Sequence, residues 1–252
     1  MDDEKVLSRI YLDAVLPSLE MLTSGDAAAS AIALKWNGNI RFSIGVNGPR
    51  STLSFNGSLV THHRGKTIHP DIILFFPCAA MLNNLFRNKG VRIAIPTKGI
   101  TRLNGLVVFS SLAKYMDKVL NGEAGSVDLR AKLTLNIIAR AIAIISSYDN
   151  EAKLLRHHLN GVAEFRIKGG DAVHVDFTSP EPQALSGHAA SPDFILEFAT
   201  NELFLRVAED TVDVLVEACL ENIVLKGNIH MGQILNILLD KIGHYLQKEV
   251  RP

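Results

Sequence analysis

Ser111 and Lys114 have types and spacing that could support covalent chemistry. They stand three residues apart, as in the Ser-x-x-Lys pattern of acyl-transfer enzymes, in which the lysine activates the serine. The Ser-Asp-Asn and Lys-Thr-Gly motifs that accompany this pattern do not occur in the sequence. Because a serine and a lysine without these partners do not make an acyl-transfer site, we predict that the chain is not an enzyme of that class.

Histidines are the second group with chemical potential, and His62, His63 and His69 lie closest together. Adjacent histidines in a strand point to opposite faces, so His62 and His63 could share a metal ion only in a loop. Arg64 and Gly65 follow directly and favour an exposed polar turn. The sequence therefore predicts no metal site and no cofactor.

Asp71 and Asp193 could be read as a pair of catalytic carboxylates, but they occupy equivalent positions in two similar stretches. Each follows a proline and opens an apolar run, so each is better explained as a residue at the start of a strand that bonds its own turn. Cys78 follows Pro77 in an apolar run, and we expect it to be a small core residue.

Composition limits the class of partner. The 252 residues are 47% hydrophobic, and 26 basic residues balance 26 acidic ones. This balance argues against nucleic acid, which proteins bind through an excess of basic groups. The longest apolar run, 72–82, contains a proline and is shorter than the roughly 20 residues of a membrane span. Two cysteines cannot form a disulfide framework. We expect a cytoplasmic protein with no integral membrane segment.

An internal repeat organises the chain. The stretch 70–76 recurs at 192–198, and each reads as a buried strand that begins at a proline. A shift of 122 residues aligns 47–120 with its later counterpart without a gap, and it pairs Gly105 with Gly227. A shift of 123 residues aligns 37–44 with 160–167. The sequence therefore predicts two units, 1–122 and 123–252.

Each unit has the same predicted order of elements. A first helix, which Pro17 should split in the first unit and Ser126 should cap in the second, precedes a short helix capped by Asp26 or Asp149. A hairpin, the strand after the Pro-Asp pair and an amphipathic helix follow. The unit ends with a strand that closes at Gly105 or Gly227 and a final helix.

The second unit resembles the sterol-carrier-protein family, of the non-specific lipid-transfer type. The likeness is carried by residues 161–167, 192–198, 201–205 and 223–229. The first unit is similar mainly through the repeat, and it departs from the family pattern at 93–99. The resemblance implies a five-stranded mixed sheet with helices on one face, and a hydrophobic tunnel between them for fatty acyl chains, sterols or acyl-CoA.

The predicted fold is therefore α+β, with two repeated units that each contain a five-stranded mixed sheet and helices packed on one face. The predicted function is non-enzymatic binding or transfer of a lipid-like ligand. Alternatives are a scaffold module without a pocket and an accessory subunit of a lipid-metabolising enzyme. Transient membrane contact and oligomeric state stay open. The predicted ligand-binding residues are Phe42, Phe55, Leu74, Phe76, Leu82, Leu85, Phe86, Phe109, Leu112, Met116, Phe165, Phe177, Leu196, Phe198, Phe204, Val207, Met231, Ile234, Leu235 and Leu238.

Overall fold

The computed structural model describes residues 2–65, 68–87, 94–99 and 102–247. They form two compact units, Met1–Leu129 and Arg130–Pro252. Each contains one five-stranded sheet of mixed strand direction together with helices, so the predicted fold class is confirmed.

Unit 1 begins with helices and continues with the sheet. The helices are α1 (Asp2–Ile10), a π-helical turn (Tyr11–Val15), α2 (Ser18–Gly25), α3 (Ala27–Ala33), α4 (Ala79–Phe86) and α5 (Leu103–Leu120). The strands are β1 (Gly38–Ile44), β2 (Arg50–Asn56), β3 (Leu59–Arg64), β4 (Ile72–Phe76) and β5 (Ile95–Lys98), in the order β3-β2-β1-β4-β5. Only β1 and β4 pair in parallel among the described strands of this unit.

Unit 2 repeats this plan. Its helices are α6 (Val127–Tyr148), which begins at the end of unit 1, α7 (Asn150–Arg156), α8 (Asn201–Ala208), α9 (Val214–Cys219) and α10 (Ile229–Gln247). The strands are β6 (Val162–Ile167), β7 (Ala172–Asp176), β8 (Gln183–Ser186), β9 (Phe194–Phe198) and β10 (Ile223–Gly227). Their order, β8-β7-β6-β9-β10, is that of unit 1, and β6 and β9 are the parallel pair.

The register of the parallel pairs confirms the duplication. Ile40 lies opposite Ile72 in unit 1, and Ala163 lies opposite Phe194 in unit 2. These are the positions that the shifts of 123 and 122 residues relate. Because a slip of one residue would turn every side chain to the other face, the two units place equivalent residues on equivalent faces.

The predicted alignment is wrong beyond β4. Gly105 does not end a strand but lies in α5, and Gly99 is the structural counterpart of Gly227. Both glycines have positive φ, and a Cβ would lie 2.4 Å from the Asp71 carbonyl at Gly99 and 2.1 Å from the Asp193 carbonyl at Gly227. The gapless shift fails because fewer residues separate α4 from β5 in unit 1 than separate α8 from β10 in unit 2. The predicted departure at 93–99 lies partly outside the described residues.

Three elements were not predicted. β3 contains His62 and His63, so the interpretation of this stretch as a polar turn is wrong. Several of its side chains are polar on both faces, so the sequence lacks the alternation of apolar and polar residues that would predict a strand. β8 has four residues and α9 has six, and elements this short carry little periodic signal.

The predicted helix boundaries are largely confirmed. Pro17 follows the π-helical turn, in which the Leu16 N–H donates to the Tyr11 carbonyl at 2.9 Å, and the first helix is split there. Asp26 accepts from the Ala29 N–H and Asp149 accepts from the Ala152 N–H, each at 2.8 Å. Within the described ranges, the helices are all too short or too polar to cross a bilayer.

Candidate functional site

The sheet of unit 2 has one apolar face and one polar face, because side chains alternate along each strand. The strand register places a coherent set of residues on the apolar face. They are Ala163, Phe165, Ile167, Val173, Val175, Phe194, Leu196, Phe198, Ile223 and Leu225.

Helices α8 and α10 cover part of this apolar face. The ring of Phe204 on α8 meets that of Phe198 edge-on, with ring centroids 5.2 Å apart. Gly232 lets α10 lie directly on Phe194, since a Cβ there would sit 2.6 Å from the aromatic ring. The α10 side chains that face inward are buried, and they include Met231, Ile234, Leu235 and Leu238.

The same face is uncovered towards β10. Leu225 is 47% exposed, and Leu196 and Val207 are half-buried. Helix α9, which contacts β10, has no buried residue, and Leu215 is 77% exposed. We call the exposed apolar residues of this region the open apolar segment: Val214, Leu215, Val216, Leu220, Leu225 and Ile229.

Unit 1 is closed at the equivalent position. Leu74, the counterpart of Leu196, is only 5% exposed. Phe42 contacts Phe109 of α5 at a centroid distance of 5.1 Å, and both rings are buried. These two side chains therefore pack directly between the sheet and α5 in the described part of this unit.

The predicted binding residues separate into two sets. One set lies on or directly beside the two sheets, or on helices α5 and α10, and is buried in the apolar layers of the units: Phe42, Phe55, Leu74, Phe76, Phe109, Leu112, Met116, Phe165, Phe177, Phe198, Met231, Ile234, Leu235 and Leu238. Leu82 and Phe204 are also buried, on α4 and α8. Leu85, Phe86, Leu196 and Val207 are half-buried. Phe86 stacks on Tyr11 of the π-helical turn, with centroids 4.7 Å apart.

The polar face of unit 2 holds a buried carboxylate that the sequence analysis missed. Glu164 is 1% exposed, and it accepts hydrogen bonds from the Ala189 N–H at 2.7 Å, His188 Nδ1 at 3.0 Å and Arg166 Nη1 at 3.2 Å. Burial alone would raise the pKa of the carboxyl group, but these donors outweigh burial and hold the pKa below its ordinary value. Glu164 thereby fastens the β8–β9 loop to the sheet. A glutamate within a strand of otherwise apolar residues was the available signal.

Asp71 and Asp193 are structural, as predicted, although their partners differ from those expected. Asp193 Oδ2 accepts the Val162 N–H at 2.8 Å, and Asp71 Oδ2 accepts the Asn39 N–H at 2.9 Å. Each aspartate therefore ties the start of its strand to the start of the neighbouring parallel strand, and not to its own turn. Asp71 also forms an ion pair with Arg102.

The candidate nucleophiles occupy exposed positions. Ser111 and Lys114 lie on the outer side of α5, and the Ser111 hydroxyl donates to the Val107 carbonyl at 2.8 Å. Cys78 is exposed at the start of α4, so its prediction as a core residue is wrong. Within the described ranges, no group of three or more His, Cys, Asp or Glu side chains could hold a metal ion.

Comparison with solved structures gives one recurrent likeness. The chain is similar to sterol carrier protein 2 domains. The sterol carrier protein domain 2 of Helicoverpa armigera is 12% identical, with a TM-score of 0.35, over 43% of this chain and 87% of that chain. The apo sterol carrier protein 2 of Yarrowia lipolytica is 15% identical, with a TM-score of 0.33, over 42% and 90%.

A UbiJ-SCP2 ubiquinone synthesis protein is 18% identical, with a TM-score of 0.33, over 41% of this chain and 90% of that chain. No protein-family model and no curated protein matches the sequence. The duplication rests on the strand order and register of the chain itself.

Proposed function

We propose that the protein binds a lipid-like apolar ligand without catalysis, and that unit 2 is the binding unit. The observation that carries this proposal is the open apolar segment at the β10 side of the apolar face. Single exposed apolar residues are normal, but six of them within residues 214–229, beside an apolar interior, are typical of a binding site.

The open apolar segment has the chemistry of a surface for an acyl chain. Leu215 and Leu225 keep about half or more of their surface in water, at 77% and 47% exposure. Covering each such side chain contributes about 1 kcal/mol, and each ligand methylene that leaves water contributes ~0.8 kcal/mol. A chain of several methylenes that covers this segment would therefore offset the entropy lost on association.

Unit 1 supports a second role beside binding. Leu74 is 5% exposed, whereas its counterpart Leu196 is half-buried, so unit 1 covers the part of the apolar face that unit 2 leaves open. We infer that unit 1 serves as a scaffold, whereas unit 2 is the lipid carrier. The carrier prediction thus applies to one copy and the scaffold alternative to the other.

We also propose a cytoplasmic location for the protein. Two exposed cysteines outside any disulfide support this location.

A matched pair of variants tests the proposal. Leu215→Asp places a charge in the open apolar segment, whereas Leu34→Asp places the same charge at an exposed leucine of unit 1. We expect saturable uptake of a fluorescent fatty acid to weaken about tenfold in Leu215→Asp, because a carboxylate opposes an apolar ligand. Leu34→Asp should bind as the wild type does.

Mass spectrometry of lipid extracted from the purified wild type gives the independent readout. A co-purifying lipid that is depleted in Leu215→Asp and retained in Leu34→Asp would support unit 2 as the site. Equal uptake by both variants, or no saturable uptake by the wild type, would refute the proposal.

A further inference from the structure

A cavity in unit 1 has a different chemistry from that of the open apolar segment. Its volume is about 300 Å³, and three arginines and one aspartate contribute to its lining. The lining residues are Arg9, Asp13, Gly48, Pro49, Arg50, Arg64 and Gly65. The volume is at the lower end of that found for small-molecule sites.

Three separate parts of unit 1 bring these residues together. Arg9 and Asp13 lie four residues apart, at the end of α1 and in the π-helical turn, and so share one side of the helix. Arg64 ends β3, and its Nε lies 3.4 Å from Asp13 Oδ2. Arg50 begins β2 directly after the β1–β2 turn and lies opposite Ser43 of β1.

Backbone contacts fix the wall of the cavity. The Ile44 N–H donates to the Pro49 carbonyl at 3.2 Å, and the Gly65 N–H donates to the Arg50 carbonyl at 2.8 Å. Gly48 cannot be replaced without moving this turn, because a Cβ would lie 2.0 Å from the Ile44 carbonyl oxygen. The backbone of this wall is therefore held by its own hydrogen bonds.

The charges favour an anion. Three guanidinium groups against one carboxylate leave a net charge of +2 among the lining residues. Burial, and next the positive charge of Arg50, lower the pKa of the Arg41 guanidinium, so a further arginine lies close enough to Arg50 to be affected by its charge. Asp13, whose side chain is 9% exposed, compensates part of it through Arg64.

We propose that this cavity binds a phosphate-type anion, supplied either as free phosphate or as the phosphate of a lipid headgroup. Guanidinium groups suit phosphate because their planar N–H donors match its oxygens in pairs. The site lies in unit 1 and does not depend on lipid uptake by unit 2.

Four variants and two probes test the site. Arg64→Gln and Arg9→Gln each remove one guanidinium, and we expect binding to weaken about tenfold. Asp13→Asn removes the competing carboxylate and should strengthen binding several-fold. Arg206→Gln is the matched control, because Arg206 is exposed on α8 of unit 2. Thermal unfolding checks that each variant is folded, and Arg9→Gln serves if Arg64→Gln does not fold.

The probes separate the two sources of phosphate. Inorganic phosphate is titrated and followed by its phosphorus resonance, and vesicles of phosphatidylcholine with or without phosphatidic acid are tested by co-sedimentation. The site is supported if either probe binds with an affinity that decreases in the order Asp13→Asn, wild type, Arg64→Gln. The probe that binds then identifies the source of the phosphate. No saturable binding of either probe, or an equal effect of Arg206→Gln, would overturn it.

Discussion

Glu164 gives the sharpest test of how unit 2 is held together. The change is Glu164→Gln, which keeps the shape of the side chain and removes its charge. Glu164 accepts three hydrogen bonds, two at Oε1 and one at Oε2, and it lies 1% exposed on the polar face of the sheet. We expect a large loss of stability for a substitution of this size.

The magnitude follows from these contacts. The amide of Gln has one acceptor oxygen, so its N–H₂ group must face either the Ala189 N–H or the two side-chain donors. A hydrogen bond to a charged group contributes ~1.5–3 kcal/mol to the stability of the folded state. A buried donor that loses its acceptor costs about 1–3 kcal/mol more. Arg166 retains its bond to Glu197 at 2.7 Å, which limits the loss. We expect a loss of about 3 kcal/mol, which lowers Tm by roughly 10 °C for a unit of this length.

The pH dependence supplies a second readout. Because the pKa of Glu164 is held below its ordinary value in the folded state, its stabilisation is present above about pH 4.3, the value in an unfolded chain, and is lost as pH falls through the folded pKa. Circular dichroism during heating should show the gap between wild type and variant closing in acid. The control is Glu202→Gln, exposed on α8, with an expected change within about 0.5 kcal/mol. A small Tm change, or a gap that persists at low pH, would refute the role assigned to Glu164.

Two further variants test backbone features by chemical denaturation. Gly161→Ala should lower the free energy of unfolding by about 3 kcal/mol, because φ is +125° and the new Cβ would lie 2.2 Å from Asp193 Oδ2. Its control is Gly169→Ala, where φ is +70° and no atom lies within 4 Å of a Cβ, and this variant should lose only about 1 kcal/mol. Ser126→Ala should cost about 1 kcal/mol, since its hydroxyl accepts the Leu129 N–H at 3.1 Å at the start of α6. An equal loss of stability in the two glycine variants would refute the close approach at Asp193. An unchanged stability of Ser126→Ala would refute the role of Ser126 as a helix cap.

Much of the fold could be predicted because its strongest signals are local. Pro17, Asp26 and Asp149 act at their own positions, through a missing N–H or a side-chain cap, and the structure places them as expected. The equivalence of Phe76 and Phe198 is also confirmed, since each lies opposite the last residue of the neighbouring parallel strand.

The rest depended on contacts between distant residues. Gly105 was matched to Gly227 by counting, whereas Gly99 is the equivalent residue because it passes close to the Asp71 carbonyl. The candidate site shows the same limit. Apolar residues such as Leu74 and Leu196 look alike in sequence, and only packing makes one buried and the other half-exposed.

The outer strands of the two sheets differ in a way that bears on self-association. In unit 1 the edge strand β5 contains Pro96, which has no N–H to offer, and an irregular register beside Ile73. Such features protect an edge against pairing with another chain. In unit 2 the edge strand β10 has regular pairing and exposes Leu225. If unit 2 binds an acyl chain as proposed above, that ligand would cover Leu225, and we expect ligand-free protein to self-associate first through this edge.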